Sequence, residues 1–121
     1  MRTKTNGFVR GHAATDPSPD VPDGSHRAEL LRVYPFTNAY GERVMFEFLL
    51  TDGNLVSHSA APSRSPHGKL AESLHGLLGR EPTEAELAAP NSLAGRSCTV
   101  VVRTVSNRSG KRYPSVIAIT P

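Results

Sequence analysis

The chain has 121 residues, 37% of them hydrophobic, which allows one domain with one modest core. A formal charge of +3 is only mildly basic, and no apolar run reaches the roughly 18 residues of a transmembrane helix. The lone cysteine, Cys98, excludes an intrachain disulfide and fits a reducing cytoplasm, and the first residues lack the apolar segment of a secretory signal.

Residues 1–25 are expected to form a disordered arm, and 26–121 a single folded domain. The stretch ATDPSPDVPDGSH is rich in Pro and Asp and cannot bury enough apolar surface to offset its ordering entropy. Arg2, Lys4 and Arg10 at its tip are expected to keep it solvated, the alternative being contact with nucleic acid or a partner.

The pattern predicts a first strand from His26 to Phe36. Ala28 and Leu30 share one face, and Val33 rejoins that face only if a bulge intervenes near Leu31 and Arg32. Thr37 to Gly41 reads as a turn. From Arg43 to Leu50 the alternation is regular: Val44, Phe46, Phe48 and Leu50 point one way, and Arg43, Met45, Glu47 and Leu49 the other. Asp52-Gly53 marks a tight turn, and Leu55 to Ala60 makes a third strand.

A helix follows, with Ser65 as its expected cap, Pro66 at its first position and a stripe of Leu70, Leu74, Leu77 and Leu78. Gly79 suits a left-handed C-terminal cap. Thr83 and Glu86 have the spacing of a capping box for a second, shorter helix that ends at Pro90. The fourth strand, Ser97 to Val105, is rich in β-branched residues. After the turn Ser106 to Gly110, a fifth strand from Arg112 to Thr120 carries Tyr113, Ser115, Ile117 and Ile119 on one face.

These elements predict an all-β fold with one helix: a five-stranded OB-fold barrel, the helix lying between strands three and four and plugging one end. The rival is an open α+β sheet with one helix packed across it. The bulged first strand and the long connection between strands three and four favour the barrel.

Several stretches between Ala28 and Pro121 carry a family resemblance. They are Phe46-Glu47-Phe48-Leu49-Leu50 followed by Thr51-Asp52-Gly53, then Ser63-Arg64-Ser65-Pro66-His67-Gly68-Lys69-Leu70, and Leu77-Leu78-Gly79-Arg80. Leu93-Ala94-Gly95-Arg96-Ser97-Cys98 entering a valine-rich strand and Gly110-Lys111-Arg112-Tyr113-Pro114 complete the set. With these the chain resembles small OB-fold-like proteins of phages, plasmids and other bacterial mobile elements, similar in fold to single-stranded DNA-binding proteins. The resemblance implies a fold and no established activity. Bacterial replicative single-strand binders end in an acidic tail with an apolar tip. Here the sequence stops at Thr120-Pro121, so recruitment of repair enzymes in that manner is not expected.

Charge is unevenly distributed. From Gly95 onward the chain carries Arg96, Arg103, Arg108, Lys111 and Arg112 and no carboxylate side chain. An OB barrel binds its ligand across strands two and three, flanked by the loops after strands one and four. The first loop region offers Tyr34, Phe36, Tyr40 and Arg43, and the second offers Arg103, Arg108, Lys111, Arg112 and Tyr113. Cations that track phosphates and rings that stack on bases are the combination single-strand binding uses. The expected nucleic-acid-binding set is therefore Tyr40, Arg43, Arg103, Arg108, Lys111, Arg112 and Tyr113. Phe46 and Phe48 are read as core, Tyr34 and Phe36 as either core or surface, and Glu47 as an outer-face carboxylate that repels phosphate.

Other chemistries find no support in the pattern. His12, His26, His58, His67 and His75 fall on different elements, and none pairs with Cys98 at a zinc-ligand spacing, so neither a metal nor a cofactor is expected. Ser63, Ser65 and His67 lack an acid placed to orient the histidine. Cys98 is expected to be buried and inert. The resulting expectation is a non-enzymatic, cytoplasmic protein that binds single-stranded DNA with little sequence preference, RNA being the second choice. The alternative is an OB-fold module that binds another protein in a mobile-element replication, recombination or defence complex. The edges of strands one and five also allow a homo-oligomer.

Overall fold

The computed structural model describes residues 21–121. The expected arm falls largely outside the described residues, and with it Arg2, Lys4, Arg10, His12, Asp16 and Asp20. Five strands, β1 (Gly24–Asn38), β2 (Gly41–Leu50), β3 (Leu55–Ala60), β4 (Ser97–Ser106) and β5 (Arg112–Thr120), form one antiparallel sheet in the order β3-β2-β1-β4-β5.

β1 is long enough to serve two neighbours. Ala28 to Asn38 pair with β2, and Gly24 to Glu29 pair with β4, so the two ladders overlap only at Ala28 and Glu29. The register with β2 slips between Leu30 and Arg32, which leaves Leu31 as the extra, exposed residue. Because side chains alternate along a strand, one extra residue shifts the phase and lets Ala28, Leu30 and Val33 all face the core. The alternation of β2 holds as well: Val44, Phe46, Phe48 and Leu50 are buried, and the rings of Phe46 and Phe48 stack 6.4 Å apart.

The core also takes in residues ahead of the first strand. Val21 is buried, and Asp23 Oδ1 accepts from Thr104 N and Thr104 Oγ1 at 2.8 and 2.9 Å, which pins the start of β1 against β4.

The connection from β3 to β4 carries the leucine-striped helix, the second, shorter helix expected after Thr83, and one further turn. It holds α1 (Lys69–Leu78), α2 (Glu84–Ala88) and a 3₁₀ turn at Pro90–Leu93. Leu70, Leu74, Leu77 and Leu78 of α1 are buried, each contributing roughly 1.5–3 kcal/mol relative to an exposed position. Ser65 does not cap this helix. The cap position is Gly68, without a side-chain bond, because Ser65 to Gly68 instead close a turn in which Gly68 N donates to Ser65 O at 3.0 Å. Gly79 does end α1 in the left-handed conformation, and Thr83 and Glu86 form the reciprocal capping box of α2.

The sheet does not close into a barrel. Among the described residues no hydrogen-bonded ladder joins β3 to β5, so in this respect the open-sheet alternative is the nearer description. Side chains occupy the seam instead. His58 of β3 reaches Ser73 of α1 at 2.8 Å and hydrogen-bonds the backbone of Val116 on β5, while its ring tilts against Phe46 at 5.7 Å. A second bulge lies in β5, where the register slips and leaves Ile117 unpaired between Val116 and Ala118. The slip divides the expected face: Tyr113, Ser115 and Ile117 point outward, and Ile119 turns in to pack against the core.

Candidate functional site

The outer face of the sheet is set by strand registry. Tyr34 sits opposite Met45 and Met45 opposite Ser59, which makes one row across β1, β2 and β3. Arg32, Glu47 and Ser57 form the next row, and Phe36 faces Arg43 beyond it. These side chains alternate with the core set and so share the opposite face.

Within the second row a carboxylate is buried on the outer face. Glu47 is 5% exposed, with Arg32 Nε 2.5 Å from Oε1 and the Tyr34 hydroxyl donating to Oε2 at 3.2 Å. The Arg32 guanidinium also lies over the Tyr34 ring, 4.7 Å from its centroid. The hydrogen bond and the charge of Glu47 hold the Arg32 pKa above its ordinary value, against a smaller effect of burial. Glu47 is thus an internal counterion for Arg32 and not a free negative charge facing a ligand. The sequence reading placed Glu47 on the outer face but not beside Arg32, because the register between β1 and β2 and not a local pattern pairs the two.

Where β3 faces β5, a groove of about 280 Å³ opens, lined by Met45, Ser57, His58, Ser59, Tyr113 and Ser115. Ser57 and Ser59 come from β3, and Tyr113 and Ser115 from the outer face of β5. Arg43 Nη2 donates to Ser59 Oγ at 3.2 Å, which places its guanidinium at the rim. None of the lining residues is acidic. Arg43 and Tyr113, two of the expected binding residues, therefore border one concavity, which joins the roots of the β1–β2 and β4–β5 hairpins.

The other expected residues are distributed around this groove. Arg103 lies on the outer face of β4, paired with Ser115 of the groove wall. Arg112 pairs with Ser106 and points to the opposite side from Tyr113. Both Arg103 and Arg112 act on Asp23, whose pKa is lowered chiefly by its hydrogen bonds from Thr104 and then by these two arginines. Tyr40 stands 84% exposed in the β1–β2 turn, where its N–H donates to Asn38 Oδ1 at 2.8 Å. Arg108 and Lys111 are exposed in the β4–β5 turn. That turn is ordered by Asn107, whose Oδ1 accepts from Ser109 N, Ser109 Oγ and Lys111 N. Tyr40 thus stands at the tip of one hairpin, and Arg108 and Lys111 at the tip of the other.

Two groups have the elements of reactive chemistry without its arrangement. Ser73 and His58 are within hydrogen-bonding distance, but Ser73 Oγ also bonds the Lys69 carbonyl at 2.9 Å. The other hydrogen bond of His58 goes to the Val116 backbone, so no carboxylate orients the ring as in a hydrolytic triad. Cys98 is fully buried, and burial pushes its thiol up to about 11, which keeps it protonated and unreactive at neutral pH.

No known family model matches the chain, and no curated protein matches it either.

Proposed function

We propose that this protein binds single-stranded nucleic acid, DNA in preference to RNA, along the outer face of β1, β2 and β3 and into the β3–β5 groove. The observation that carries this reading is the groove itself, where a tyrosine ring, a rim guanidinium and three serine hydroxyls meet without a carboxylate in the lining. Arg43 and Arg103 neutralise phosphates beside it, and Arg108 and Lys111 extend the positive surface at the tip of the β4–β5 hairpin, whereas Arg112 lies on the other side of β5. Tyr113 stacks on a base, and Tyr40 at the first hairpin tip supplies a second ring. The strand order and the bulged first strand fit a partly open OB architecture, on which such a face is a common binding surface. Binding is non-catalytic in this reading and takes place in the cytoplasm.

A titration of a fluorescently labelled oligonucleotide at two salt concentrations tests it. Affinity falls steeply with salt, with a logarithmic slope of about 0.7 per phosphate neutralised, and the slope shrinks in Arg43→Ala and Arg103→Ala. Absence of binding at low micromolar protein in low salt overturns the reading.

A second reading, a protein-binding module, is favoured by one observation. Ile117 is 48% exposed at the β5 bulge, and Ile117 and Ile119 line a shallow cleft against Gly76 and His75 of α1. Co-purification with a protein partner that Ile117→Asp abolishes, together with indifference to oligonucleotides, supports it.

A further inference from the structure

We infer that the β3–β5 groove is a subsite for one unpaired base of the bound strand, an inference that rests on the single-strand reading above. The groove exists because the sheet is left open there and because the residues on both of its sides are small. Ser57 and Ser59 project from β3 and Ser115 from β5, where larger β-branched residues would fill the gap between unpaired strands. Its volume of about 280 Å³ lies below the roughly 300–1,000 Å³ of sites for drug-sized molecules and suits a fragment such as a single base.

The lining chemistry matches a base better than a phosphate or an aliphatic side chain. Tyr113, 38% exposed, offers a ring face for stacking. Met45 supplies a polarisable thioether that packs well against aromatic rings. Three hydroxyls each donate and accept, so they can meet the mixed donors and acceptors on the edge of any base without selecting one. Arg43, held at the rim by Ser59, is placed to meet the phosphate attached to a base lodged in the groove.

Two strands of equal, minimal binding length test this, one of normal deoxynucleotides and one carrying only abasic sugar-phosphate units. The full-length protein binds the base-bearing strand about 10–100-fold more tightly. Ser115→Leu, which fills the groove from an outward-facing position, cuts that preference at least fivefold. Tyr113→Ala does the same, and Tyr113→Phe retains the preference. Circular dichroism of each variant shows that the fold is kept. If Ser115→Leu and Tyr113→Ala keep the full preference for bases, the subsite is overturned while single-strand binding stands. If neither strand binds the native protein, the functional reading itself fails.

Discussion

His58 Nε2 lies 2.8 Å from Ser73 Oγ, and this contact ties the edge strand β3 to α1 at the place where the sheet is open. Ser73 Oγ also donates to the Lys69 carbonyl at 2.9 Å. With the Val116 backbone bond on β5, one side chain links three elements that no strand ladder joins.

The first prediction concerns pH. Burial lowers the His58 pKa below its ordinary value, the Val116 hydrogen bond opposes this, and among the nearby charges Arg43 and Lys69 disfavour the cation while Glu72 favours it. The unfolded chain therefore binds a proton on this residue at a higher pH than the folded protein does. Stability rises with pH wherever the unfolded state holds more protons, so it falls as the pH drops below about 6.5. Thermal melts between pH 7.5 and 5 should show this decline in the native protein and a flatter dependence in His58→Gln. Parallel profiles for the two proteins would remove His58 as the cause.

A second prediction follows from the buried carboxylate. Arg32→Ala leaves Glu47 buried with only the Tyr34 hydroxyl against it. An uncompensated buried charge is costly, and discounting for Arg32's half-exposed side chain the expected loss is about 1–3 kcal/mol. Glu47→Gln removes the charge and should cost less than Arg32→Ala. Urea unfolding midpoints at constant m-value measure both. A loss for Arg32→Ala no larger than that for exposed Arg96→Ala would show that the pair contributes nothing special.

The contrast between this pair and the core explains what could be read in advance. The phase of β2, the bulge at Leu31, the leucine stripe of α1 and the caps at Gly79 and Thr83 are local patterns, carried by residues within a few positions of one another. The 3₁₀ turn at Pro90–Leu93 had no local signal, and Ser65 lost its capping role to a turn closed by the Gly68 N–H. Barrel closure, the inward turn of Ile119 and the burial of Glu47 each depend on partners distant in sequence or on a one-residue slip. Alternation along β5 is broken by Ile117, and nothing in Val116-Ile117-Ala118-Ile119 distinguishes the residue that drops out of register. The arginines of the C-terminal stretch were legible as a group, but strand pairing decides that Arg103 borders the groove wall and Arg112 faces away from it.

Gly76 supports a third prediction, one that reverses the usual sign. Glycine inside a helix ordinarily costs about 1 kcal/mol relative to alanine. Here a Cβ at position 76 would come 2.4 Å from the carbonyl oxygen of Ile119, so α1 packs against the β5 backbone only because the side chain is missing. The obstacle is main chain and cannot swing aside. Gly76→Ala should therefore destabilise the protein by roughly 1–3 kcal/mol despite its better helix propensity. Equilibrium denaturation decides the sign, and a gain in stability would mean that α1 does not approach β5 this closely.

The last prediction concerns α2, a helix of five residues too short to persist without its caps. Thr83 Oγ1 accepts from Glu86 N at 3.2 Å, Glu86 Oε1 accepts from Thr83 N at 2.8 Å, and Arg80 pairs with both Glu86 oxygens at 3.0 and 2.9 Å. The Arg80 bonds first, and the Thr83 backbone second, bring the Glu86 pKa from 4.5 down to about 2. A depressed carboxylate pKa stabilises the fold above the unfolded value, and that stabilisation is lost as the pH falls from about 4.5 through about 2. The native protein should thus be more stable than Glu86→Gln at pH 6, and the difference should vanish near pH 2. Thr83→Ala removes the neutral half of the box and should cost about 0.5–2 kcal/mol. Because protonated Glu86 can still accept from the Thr83 N–H, the Thr83→Ala penalty should vary less with pH than the Glu86→Gln penalty. Differential scanning calorimetry of the three proteins across this range separates the two contributions, and equal pH dependence would mean that the Arg80 pair adds nothing to the cap.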